Sequence, residues 1–168
     1  GWDDVMWDAS ATMYWRRTID RTVAITATWA GGYRSTTPFQ LTLGEPVGGL
    51  RGFANSRQAG GERLVVRAEE RWYLGRISNL AAVGIAPFVG IGALAARDAP
   101  FGGTTHPAAA IGVSLLAAVP PSSRRLFRLD LTLRLTPDGV SPVFSIGTTN
   151  CVMVLTTLLP SGAARVVV

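Results

Sequence analysis

Apolar and polar residues alternate with a period of two along much of this chain, the spacing that sends successive side chains to opposite faces of a strand. From Phe127 to Leu135 the alternation is unbroken. Phe127, Leu129, Leu131, Leu133 and Leu135 share one face, and Arg128, Asp130, Thr132 and Arg134 the other. Earlier, Val23, Ile25, Ala27 and Trp29 oppose Thr22, Ala24, Thr26 and Thr28. Such segments predict strands with one greasy and one polar face. Gly31-Gly32, Gly60-Gly61, Gly102-Gly103, Pro120-Pro121 and Pro137-Asp138-Gly139 punctuate the chain at hairpin-like intervals. Strands are therefore predicted near 10–19, 21–31, 62–74, 79–86, 87–96, 108–119, 124–136 and 142–158, the last open to a break.

Three uncharged runs, Ile77 to Ala96, Ala99 to Ser123 and Val140 to Ala164, offer a helical alternative. The first has the roughly 20 residues that a transmembrane helix needs. It also contains Gly84, Pro87, Gly90 and Gly92, and the others hold Pro107, Pro120, Pro121, Pro142 and Pro160. Proline inside a helix costs about 3 kcal/mol and glycine about 1. Strand, turn, strand is the better reading of all three.

Alternation suits a soluble sandwich as well as a membrane barrel, and composition favours the barrel while leaving aromatics in a soluble core as the alternative. Only 16% of residues are charged, where about 25% is usual in a soluble domain, and the mean hydropathy is +0.27. Trp2, Trp7, Tyr14, Trp15, Trp29, Tyr33, Trp72 and Tyr73 lie near segment ends, like an interfacial belt. The expected fold is all-β: an antiparallel, up-and-down transmembrane β-barrel of about eight strands, in a single domain over residues 1–168.

The net charge of +5 does not change that picture. Every basic residue is an arginine, and the arginines are spread rather than massed, so nucleic acid is not an expected partner. Cys151 is the single cysteine, which rules out an internal disulfide and a cysteine-based metal site. The chain begins at Gly1 without an initiator methionine, as a processed chain or a fragment would. His106 is the single histidine, in an expected loop tip between Gly102 and Pro107. Glu69 and Glu70 are adjacent in a strand, face opposite sides and cannot converge as an acid pair. No catalytic residue, cofactor or metal is expected, and the chain does not read as an enzyme.

The segment Gly48-Gly49-Leu50-Arg51-Gly52-Phe53, followed by Arg67-Ala68-Glu69-Glu70-Arg71, resembles the bacterial surface-antigen superfamily of outer-membrane barrels. That superfamily includes the factor that inserts other barrel proteins and the transporters of two-partner secretion. Its members carry periplasmic repeats and a sixteen-stranded barrel whose long loop tucks into the lumen with an Arg-Gly-Phe or Arg-Gly-Tyr tip. The resemblance places Arg51, Gly52 and Phe53 at that tip and residues 44–60 in the lumenal loop. Glu69 falls on the acid of the following strand. Gly112-Val113-Ser114-Leu115, Arg128-Leu129-Asp130-Leu131 and Phe144-Ser145-Ile146-Gly147-Thr148-Thr149 are similar to later strands, so the match covers residues 40–150, the C-terminal half of such a barrel.

An arginine shielded from water needs a carboxylate. Glu69 is the predicted partner of Arg51 and Asp130 the second. Alternation sends Glu69 and Arg71 the same way, assigned as the lumen. Gly52 would permit close backbone approach and Phe53 would wedge against the wall. The plainer reading is a surface turn with a solvated arginine, worth about 0–1 kcal/mol. Two positions depart from the family pattern. Gly90 stands where a second acid is usual, and Asn150 stands where the family ends on an aromatic, followed by a tail of unassigned role at 151–168.

The resemblance implies a bacterial outer-membrane protein that assembles other outer-membrane proteins or translocates polypeptides. Its expected partners are the lipid bilayer, unfolded or secreted outer-membrane polypeptides, and a second copy or another chain completing the barrel. The alternative is a small β-barrel binding module for an apolar ligand.

Overall fold

The computed structural model describes residues 4–34, 39–44, 48–54, 58–97, 102–123, 125–150 and 165–167. The strands are β1 (Val5–Thr18), β2 (Arg21–Tyr33), β3 (Leu41–Thr42), β4 (Ala59–Gly60), β5 (Glu62–Ile77), β6 (Ala81–Ala95), β7 (Ala108–Ala118), β8 (Arg125–Thr136), β9 (Gly139–Asn150) and β10 (Arg165–Val167). The fold is all-β, with no helix among the described residues. One sheet runs β10-β1-β2-β5-β6-β7-β8-β9, every pairing antiparallel, and β3 pairs with β4 in a small ribbon. Among the described residues no ladder joins β9 to the opposite edge, so the sheet is open there. Seven long strands plus the three-residue β10 make up the sheet. Residues 151–158 of the last expected strand, and Trp2 and Cys151, lie outside the described residues.

Two expectations about punctuation are corrected. Residues 79–86 and 87–96 form one strand, β6, and not two. Pro87 sits opposite Val113 of β7, while on the β5 side the ladder skips from Glu69↔Phe88 to Trp72↔Ile85 in unchanged register. A proline without an N–H is tolerated where its donor is not called on. Gly31-Gly32 is likewise no turn, since both residues lie inside β2. A Cβ on Gly31 would meet the Trp7 ring at 2.5 Å, and one on Gly32 would meet Phe39, so these glycines admit aromatic rings. Pro120-Pro121 and Pro137-Asp138 do lie between strands, at the β7–β8 and β8–β9 connections, and Gly139 opens β9.

Burial is inverted relative to a soluble sheet. In β8 the polar side chains Arg128, Asp130 and Thr132 are buried, whereas Phe127, Leu131, Leu133 and Leu135 are 38–53% exposed. The inversion extends across the sheet. Glu69, Ser114 and Thr28 are buried, while Ile25, Val66, Val89, Ile91, Ile111 and Phe144 are exposed. Register explains why the greasy face is continuous, because Met13, Ile25, Val89, Ile111 and Leu133 fall in one cross-strand row through Ala68.

The polar face is covered by the described residues 39–44, 48–54 and 58–60, which lie between β2 and β5 in the chain. Leu43, Leu50 and Phe53 from this segment cluster with Val65, Leu94, Ala108 and Ala110 of the wall. This apolar core lies between the loop and the polar face. The greasy outer face takes no part in it.

Candidate functional site

The loop meets the wall where a row of facing residues, Ala24–Glu69–Phe88–Gly112–Thr132, crosses from β2 to β8. The two middle strands have room for it where their polar-face positions are small, at Gly90, Gly92, Ala110 and Gly112. An added Cβ at Gly90 would lie 2.7 Å from Leu50 Cδ1, and one at Gly92 would lie 3.2 Å from Leu43 Cδ2. Gly90 therefore seats Leu50.

Hydrogen bonds hold the loop along its length. Thr28 Oγ1 donates to the Gly48 carbonyl at 2.7 Å, Arg63 Nη1 to the Thr42 carbonyl at 3.1 Å, and Arg67 Nη1 to the Gly49 carbonyl at 3.0 Å. Leu50 N donates to the Leu43 carbonyl at 2.5 Å and closes the turn. At the tip, Gly52 has φ of +80°, and a Cβ there would lie 2.8 Å from Thr132 Cγ2. Both its backbone and its surroundings call for glycine. Phe53 is buried, with the Arg134 guanidinium 5.4 Å from its ring centre.

Arg51 Nη2 donates to Glu69 Oε2, and its guanidinium lies 4.5 Å from the Phe88 ring centre. Burial pushes the Arg51 guanidinium down to about 10, with the Glu69 carboxylate acting in the opposite direction. It is still a cation at neutral pH. Glu69 also accepts from Arg71 Nε at 2.5 Å through Oε1 and from Arg128 Nη2 at 3.0 Å through Oε2. One carboxylate is thus shared by three arginines, one from the loop and two from the wall. Glu70, next in sequence, faces the other way toward Arg17 Nη1 at 3.4 Å.

Asp130 does not take the place expected of it. It accepts from Arg128 Nε at 2.8 Å rather than from Arg51. Arg128 and Asp130 are two residues apart on one strand and share a face, which makes them neighbours. Ser114 Oγ adds contacts of 2.7 and 3.1 Å to the same guanidinium. Sequence reasoning missed Arg128, Phe88 and Ser114 as site residues. The β8 alternation carried a signal for Arg128, which shares the Asp130 face.

Among the described residues no group of three or more His, Cys, Asp or Glu side chains is placed to hold a metal. His106 is exposed, and the segment before it folds back on β6, Thr105 N donating to the Leu94 carbonyl at 3.0 Å. The crevice at the site is lined by Leu50, Arg51, Arg67, Glu69, Phe88 and Gly90, and the loop itself forms one of its walls. The arrangement can clamp a loop by charge.

A scan of protein-family models finds no match to this chain, and neither curated proteins nor solved structures yield one.

Proposed function

We propose that this chain is part of an outer-membrane β-barrel that assembles other outer-membrane proteins or translocates polypeptides, its 44–60 loop clamped in the lumen by Glu69. The observation that carries the reading is the inverted sheet: a polar face buried beneath an Arg-Gly-Phe loop, and an opposite face of exposed aliphatic and aromatic side chains. Water penalises such an outer face, whereas lipid solvates it. Exposed Trp15, Trp29, Tyr33 and Tyr73 suit the membrane–water boundary.

The resemblance of Gly48 to Phe53 and of the Glu69 strand to the surface-antigen superfamily supports the assignment to polypeptide assembly or secretion. The edge of β9, which pairs with no further strand among the described residues, is a template on which an incoming strand can add. The polar face, already filled by the loop, is a poor container for an apolar ligand, so the translocator is the better-supported reading.

Fractionation of cells making the full-length protein tests it. Recovery with outer membranes is expected, and recovery in the aqueous fraction would remove the reading. In the same cells, Arg51→Ala is expected to lower assembly or secretion while folded barrel persists. Wild-type transport by that variant would take the loop out of the mechanism.

A further inference from the structure

Guanidiniums outnumber carboxylates on the polar face. Arg63, Arg67, Arg71, Arg128 and Arg134 stand on its rows and Arg51 is set into it from the loop, against Asp8, Glu69 and Asp130. Two of the acids are already committed, Glu69 to Arg51, Arg71 and Arg128, and Asp130 to Arg128. Asp8 lies on β1 opposite Ala30, in the row that leads to Arg63.

Arg67 and Arg134 form no ion pair with a carboxylate among the described residues. Arg67 donates to the Gly49 carbonyl at 3.0 Å, and Arg134 Nε donates to Ser141 Oγ at 3.2 Å and stacks near Phe53. Neutral partners orient a guanidinium without cancelling its charge. Both arginines belong to one cross-strand row, Arg67–Gly90–Ala110–Arg134, whose central residues are small. Arg67 Cγ lies beside Leu50 at Gly90, and Arg134 Cγ lies beside Gly52, so both reach the loop tip.

Cations fixed in a narrow, low-dielectric cleft focus their field and raise the local concentration of counter-ions by about tenfold or more. Rings of arginine or lysine act in this way in anion pores. Resting on the barrel reading above, we infer that the lumen conducts small inorganic anions in preference to cations, with Arg67 and Arg134 as the residues that set the preference.

The test is the reversal potential of the full-length protein in planar bilayers under a potassium chloride gradient. Chloride is expected to be several-fold more permeant than potassium. Arg67→Gln and Arg134→Gln should each lower that ratio, and Arg134→Lys should keep it, because only charge is needed. Raising the salt to about 1 M, where the screening length is about 3 Å, should erode it. A pore that prefers potassium overturns the inference while leaving the barrel intact, as does an equal loss of preference in Arg134→Lys and Arg134→Gln. Protein that enters the bilayer but conducts in neither wild-type nor Arg51→Ala form overturns it as well. Protein that never enters a bilayer overturns the barrel reading itself.

Discussion

Arg128 of β8 places Nη2 3.0 Å from Oε2 of Glu69 on β5, although β6 and β7 lie between them. Three strand spacings of about 4.8 Å would separate the two backbones by roughly 14 Å in a flat sheet. Only two long side chains leaning across a concave face bridge that span. Arg51 then enters the same carboxylate from above, so the loop docks on a pair that the wall already makes. Glu69 therefore matters to the wall as much as to the loop.

Glu69→Gln should be the most damaging single change at the site. It leaves Arg51, Arg71 and Arg128 without their shared carboxylate, and breaking a buried pair costs about 3–5 kcal/mol. Urea unfolding followed by tryptophan fluorescence should show the loss, and a midpoint equal to wild type would refute the three-arginine arrangement.

Arg51→Ala should be milder. Glu69 keeps Arg71 and Arg128, so the expected loss is about 1.5–3 kcal/mol, the range for a hydrogen bond to a charged group. Protease should then cut within 44–60 sooner while the strands stay protected. Unchanged loop cleavage would mean that Thr28, Arg63 and Arg67 hold the loop unaided.

Gly90→Ala and Gly112→Ala are expected to differ sharply. At Gly90 the new methyl meets the end of the Leu50 side chain, which can shift, at about 1–3 kcal/mol for overpacking. At Gly112 it runs into the Leu131 carbonyl, which belongs to the neighbouring strand and cannot move without breaking the β7–β8 ladder. Refolding yields of the two variants check the order; equal yields would contradict it.

Val89→Arg or Ile111→Arg, on the outer face, separates lipid from water as its surroundings. In a bilayer a mid-depth arginine costs about 2–4 kcal/mol, whereas on a solvated surface either substitution stays within about 0.5 kcal/mol. Stability measured in lipid vesicles decides between the two.

Much of this fold was legible in the order of residues. Period-two alternation carries strand identity locally, because adjacent side chains of a strand must point to opposite faces. The paired faces of Phe127 to Leu135 and the opposed directions of Glu69 and Glu70 follow from that rule, and the turns after β7 and β8 follow from Pro120-Pro121 and Pro137-Asp138. Arg51 and Glu69 were nameable from a motif, and the structure brings them together.

What lay beyond the sequence depends on contacts between strands remote in the chain. Alternation says that two faces differ but not which one is buried; the loop laid over the polar face decided that. Gly31, Gly32 and Gly90 look alike as breakers until Trp7, Phe39 and Leu50 are seen filling the space above them. Likewise, that Arg128 would join Arg51 at Glu69 rested on how the sheet brings β8 to β5. Local periodicity fixes the direction of a side chain, and only packing supplies its neighbour.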